Sequence, residues 1–106
     1  MVDPKIMCRQ HLLGEHAEIR MFIGTISRGH SVKGYLKRGL LEVHSLYSRH
    51  EDLVREMKRR NYKHNSGIDK KWKQAEMLGS IDKEKNLKQL IDRCPKCRER
   101  YEHMRI

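Results

Sequence analysis

The sequence predicts an all-α fold, a single compact domain over residues 1–106 built from three main helices, and three observations lead to that prediction. Apolar residues recur at three- and four-residue spacing in three separate segments, no segment alternates apolar and polar as a half-buried strand would, and helix-ending residues stand between the segments. A chain of 106 residues can bury one modest core. Its 37% hydrophobic and 36% charged residues suit amphipathic helices, each contributing one apolar stripe.

The first helix is expected to start at Asp3 and Pro4, because the Asp carboxylate can accept from free amides and proline is tolerated where its missing N–H would be unpaired. It runs to about Ile26, with Leu12, Ile19, Ile23 and Ile26 as its core stripe. From Ser27 to Gly39 the glycines Gly29, Gly34 and Gly39 sit among Arg28, Lys33, Lys37 and Arg38, which reads as a flexible basic loop. Such a loop can follow a phosphate backbone closely, or it is an ordinary connection between helices. The second helix is expected over Leu40 to Arg60, with Val43, Leu46, Tyr47, Leu53, Val54 and Met57 as its seam. Asn61 is suited to end it in the left-handed conformation, behind the basic run Lys58, Arg59, Arg60.

Lys63 to Asp69, with His64, Asn65, Ser66 and Gly67, has a turn composition, and a short helix is expected around Trp72 to Leu78. Ser80 offers the cap of a third long helix carrying Ile81, Leu87, Leu90, Ile91 and Cys94, with a break or kink at Pro95.

A net charge of +10, from 24 Lys and Arg against 14 Asp and Glu, creates positive potential wherever the basic side chains cluster. Polyanions are the natural partners. Nucleic acid is favoured over membrane, since no apolar run approaches a spanning length; a basic face kept only for solubility is the plainer alternative. Asp3, Pro4 and Lys5 interrupt any apolar leader, so cytoplasmic residence is expected.

Three cysteines, Cys8 and the CPKC pair Cys94 and Cys97, make an odd count. A lone C-x-x-C is a weak zinc signal because structural zinc takes four ligands, although Cys8 and His103 could complete such a set. Three thiols without a framework read as reduced cysteines or a redox-sensitive pair, and no metal or other cofactor is assigned.

On the first helix His11, Glu15 and Glu18 recur at i, i+4 and i+7 and so share a face beside the apolar stripe. At such a border, partial burial raises a carboxyl pKa and a cationic neighbour opposes the rise, which makes protonation adjustable for acid or base duty. A solvated polar stripe would have the same spacing. The two histidines of HLLGEH, five apart, do not fit a zincin, and there is no P-loop or nucleophile elbow.

The run from Gln10 through His11, Leu12, Leu13, Gly14, Glu15, His16 and Ala17 to Glu18 resembles the first-helix signature of the pyrimidine-dimer DNA glycosylases, also called phage-type endonuclease V. Arg49 to Tyr62 is similar to the family's middle helix, with Asn61 in place of a glycine, and Leu90 to Arg98 looks like the tail of its cellular members. The resemblance implies a compact three-helix protein, expected as a monomer, that bends double-stranded DNA, flips a nucleotide opposite the lesion and cleaves the damaged base's glycosidic bond. It further implies an N-terminal α-amine as nucleophile at the sugar C1′, here on Val2 once Met1 is removed, with Glu18 moving protons and His11 touching sugar or phosphate. Glu15, His16, Arg20, Lys33, Lys37, Arg38 and His64 complete the residues expected to face DNA.

The pattern departs from the family in two ways. Ala17 stands where the phage branch carries arginine, leaving Arg20 as a partial substitute, and the family has a few more residues ahead of Val2 to Cys8. Were Pro4 to Glu18 one continuous helix, the amine would lie about 20 Å from the glutamate. Lys5 is then the nearest alternative amine. A DNA-binding module of the same fold without catalysis is the competing reading, and a structural zinc protein a third.

Overall fold

The structure is a computed structural model that describes residues 2–64 and 67–104. Met1, and Asn65 and Ser66 of the expected turn, lie outside the described residues. Among the described residues there is no strand, and the helices are α1 (Arg9–Ser27), α2 (Lys33–Lys37), α3 (Leu46–Arg59), α4 (Lys83–Arg93) and α5 (Pro95–Met104). Single 3-10 turns occupy Pro4–Ile6, Val43–Ser45 and Lys70–Gln74.

The first helix does not begin at Pro4. Asp3 does cap the chain there, accepting from the Lys5 amide, but the turn closes after Ile6 and Met7 is extended (φ −73°, ψ 134°). Burial explains the break. Val2, Ile6 and Met7 are all inserted into the core, which a straight helical extension of α1 would leave in solvent. The N-terminal segment therefore folds back, and the second arginine of the Arg59-Arg60 pair holds it there. Arg60 donates to the carbonyls of Pro4 (3.1 Å) and Met7 (2.7 Å), while its Nε binds the buried Glu56 carboxylate (2.6 Å). Hydrogen bonds from Arg59, with Arg60 behind them, hold Glu56 well below the usual carboxylate range, at about 2.

α1 packs on α3, burying Leu12, Ile19 and Phe22 against Leu46, Leu53 and Met57. Ile23 and Ile26 of the expected stripe are only half-buried. The stretch expected as a flexible loop contains α2, whose Tyr35 meets Phe22 edge-on at 4.9 Å. The second helix starts at Leu46 rather than Leu40, after the 3-10 turn, and ends as expected with Asn61 at φ +63°. The third helix is capped by Asp82, not Ser80, and splits at Cys94 into α4 and α5. Proline opens α5 because its absent N–H is not needed in a first turn.

Between the Lys70–Gln74 turn and α4 the chain crosses Leu41 to Val43. The Leu78 carbonyl accepts from Val43 N–H at 2.9 Å, and the Ile81 amide donates to Glu42 at 2.7 Å. Gly79, at φ +86°, is required at this crossing: a Cβ there would stand 2.0 Å from the Leu41 carbonyl oxygen. This crossing walls one side of the groove described next. No helix of the described residues is long and apolar enough to cross a membrane.

Candidate active-site groove

A groove of about 840 Å³ opens along α1, between the start of α3 and the Gly79–α4 crossing. His11, Glu15 and Glu18 line it together, as their spacing requires. Val2 lines it too, brought there by the fold-back, so the segment bearing the chain start and Glu18 share one groove. Arg38 and Lys85 add positive charge to its wall, whereas Lys33 and Lys37 are exposed on α2 away from the lining.

The two glutamates differ in their surroundings. Glu15 is gripped by the guanidinium of Arg49, through Nη2 to Oε1 at 2.9 Å and Nε to Oε2 at 2.5 Å. Arg49 is only 5% exposed and has Met7 Sδ as a further neighbour, so Glu15 supplies the counter-charge of a buried cation. The role of Arg49 was not read from the sequence, where a charged residue in an apolar seam was the available signal. Among the described residues Glu18 shares no comparable ion pair. Desolvation by the groove walls and repulsion from Glu15 raise its pKa, which suits a group that takes and returns a proton.

His16 and Arg20 belong to the opposite side of α1. The His16 ring packs on His50 (centroids 4.8 Å apart) and edge-on to His64 (4.9 Å), and the Nε2 atoms of all three rings are buried without a hydrogen-bond partner. Their ring nitrogens lie within 4.8 Å of one another, a set that could hold a metal. Arg20 lies close enough to His16 and His64 to disfavour their protonation and is not in the groove lining, so the groove's cations are Arg38, Arg49 and Lys85. Burial, with His50, His64 and Arg20 behind it, lowers the His16 pKa from 6.5 to about 4. The unfolded chain therefore binds this proton first as pH falls. Stability should be complete above about pH 6.5 and decline toward pH 4, by on the order of 2 kcal/mol after allowance for partial exposure. Chemical denaturation across that range, with His16→Phe flattening the decline, checks this.

A second convergence lies at the start of α1. Cys8 and His11 meet Cys94 and Cys97 from the α4–α5 corner, while His103, the fourth ligand considered from sequence, is exposed at the end of α5 beside Glu99. A family model described as pyrimidine dimer DNA glycosylase matches residues 1–70, about two thirds of the 106-residue chain. The chain belongs to the pyrimidine dimer DNA glycosylase family. No curated protein and no solved structure matches it. The glycosylase-family match spans every groove residue contributed by the N-terminal segment, α1 and α3, and stops before the wall supplied by Ser80 to Lys85. Membership places the chain among DNA repair enzymes that act on DNA, in agreement with its +10 charge.

Proposed function

We propose that this chain is a glycosylase with abasic-site lyase activity on duplex DNA containing pyrimidine dimers. The observation that supports the reading is the sharing of one groove by Val2 and Glu18. With Met1 removed, the α-amine on Val2 attacks C1′ of the damaged nucleotide, the glycosidic bond breaks and the base leaves with a proton. The sugar ring then opens at the C1′–O4′ bond, O4′ taking up a proton as the nitrogen loses one, and the resulting imine makes the C2′ proton acidic. Glu18 removes it, and β-elimination breaks the C3′–O bond, leaving a nicked strand. An α-amine titrates near pH 7.7 to 8.0, so part of it is neutral and nucleophilic at cellular pH. Arg38 and Lys85 hold phosphates at the groove, exposed Lys33 and Lys37 extend the basic surface, and His11 contacts the sugar-phosphate.

Borohydride trapping on abasic-site duplex DNA tests this, because it reduces an imine to a permanent protein–DNA link. Trapping is expected from the native chain and is expected to vanish on N-terminal acetylation. If trapping survives acetylation, the nucleophile is a lysine. Lys85 lines the groove, whereas Lys5 borders a separate hollow with Arg59, Arg100 and His103. No trapping, with duplex binding intact, would favour a non-catalytic DNA-binding module of the same fold.

A further inference from the structure

We propose that Cys8, His11, Cys94 and Cys97 form a tetrahedral Zn²⁺ site that ties the N-terminal segment and the α4–α5 corner to the start of α1. Four donor atoms of the right type converge within 4.8 Å of one another. Cys8 Sγ lies 3.9 Å from Cys94 Sγ and 3.1 Å from His11 Nδ1, and Cys97 Sγ lies 3.6 Å from the same nitrogen. Zinc bonds of about 2.3 Å to sulfur and 2.0–2.1 Å to nitrogen give tetrahedral edges of roughly 3.8 Å between sulfurs and 3.5 Å from sulfur to nitrogen. The 3.1 and 3.6 Å separations bracket the sulfur–nitrogen edge, and the 3.9 Å separation lies close to the sulfur–sulfur edge. All three thiols are free, and the 3.9 Å separation is far beyond a disulfide bond of about 2.05 Å.

Local backbone geometry explains why these four residues carry the site. Cys8 is the N-cap of α1 and His11 lies three residues on; Cys94 precedes the first residue of α5 and Cys97 lies three residues on. Each C-x-x-[H/C] pair thus straddles a helix start, where free backbone amides can donate to the ligand sulfurs. The Cys8 amide donates to Cys97 Sγ at 3.2 Å, and the amides of Lys96 and Cys97 donate to Cys94. Cys97 and Cys8 are buried, Cys94 is half-buried and His11 is exposed toward the groove; four protein ligands leave no open coordination position, as in a structural zinc site. Soft thiolates select zinc over magnesium or calcium. Coordination through Nδ1 leaves the His11 Nε2–H as a donor, so metal binding and contact with DNA at the groove are compatible.

The test is metal analysis of the full chain purified under reducing conditions, together with Co²⁺ exchanged for the bound ion. About one zinc per chain is expected, and the Co²⁺ form should show the intense near-ultraviolet thiolate charge-transfer band and visible bands of a tetrahedral site. Cys94→Ser and His11→Ala should each lower zinc affinity by about 10-fold or more, and His11→Cys should retain the metal. The Co²⁺ spectrum of the native chain decides the question even if Cys97→Ser fails to fold. Absence of metal, with all three thiols reacting freely in the folded protein, would overturn the proposal. So would zinc that survives Cys94→Ser but disappears in His64→Ala, which would assign the ion to the three-histidine cluster.

Discussion

Glu18→Gln is expected to leave folding and duplex binding near normal while reducing nicking of abasic-site or dimer-containing DNA by about 10²- to 10⁴-fold. The amide preserves the shape and keeps hydrogen-bonding capacity but cannot accept a proton. Because Glu18 stands on the groove wall rather than in the core, little packing is lost. Single-turnover nicking alongside a binding titration separates the two effects, and equal losses of binding and nicking would count against proton transfer by this residue. Glu15→Gln should behave differently. It withdraws the counter-charge from buried Arg49, so its main cost is stability, and it removes the negative charge that helps raise the Glu18 pKa. In that variant the acidic limb of the pH–rate profile should therefore move to lower pH. An unmoved limb would show that the profile reports another group.

Arg60→Ala is expected to destabilise the chain by about 3 kcal/mol and to abolish imine trapping even at temperatures where the variant is folded. The guanidinium's three shortest hydrogen bonds go to the Glu56 carboxylate and the carbonyls of Pro4 and Met7. Removing it leaves those carbonyls without their cationic donor and frees the segment that carries Val2 into the groove. Lysine should rescue poorly, since one ammonium cannot span the carboxylate and both carbonyls as a planar fork does. Arg55→Ala is the comparison: its pair with Asp52 is exposed at the surface and is expected to contribute at most about 1 kcal/mol. Thermal melts with trapping assays check both variants. Full trapping by folded Arg60→Ala would mean that the N-terminal segment is held without Arg60, by its apolar residues and the Arg100 bond to the Lys5 carbonyl.

The sequence by itself determined the helical class, the long helices with starts misplaced by up to six residues, and the shared face of His11, Glu15 and Glu18. These features depend on residues three or four apart, and side chains at that spacing meet wherever a helix forms. The left-handed end at Asn61, the cap at Asp3 and the break before Pro95 were legible for the same reason, each being set by one residue's own backbone preferences. The tertiary structure alone decided the fold-back of Val2 to Met7, because its cause is burial against α3 and the grip of Arg60 more than fifty residues away. Likewise, the pairing of Glu15 with Arg49 and the meeting of His16, His50 and His64 join segments whose separation carries no periodic signal. Cys8 and Cys94, 86 residues apart, become neighbours only because α5 packs against the Pro4–Ile6 turn. That packing puts His11, and not His103, beside the three thiols.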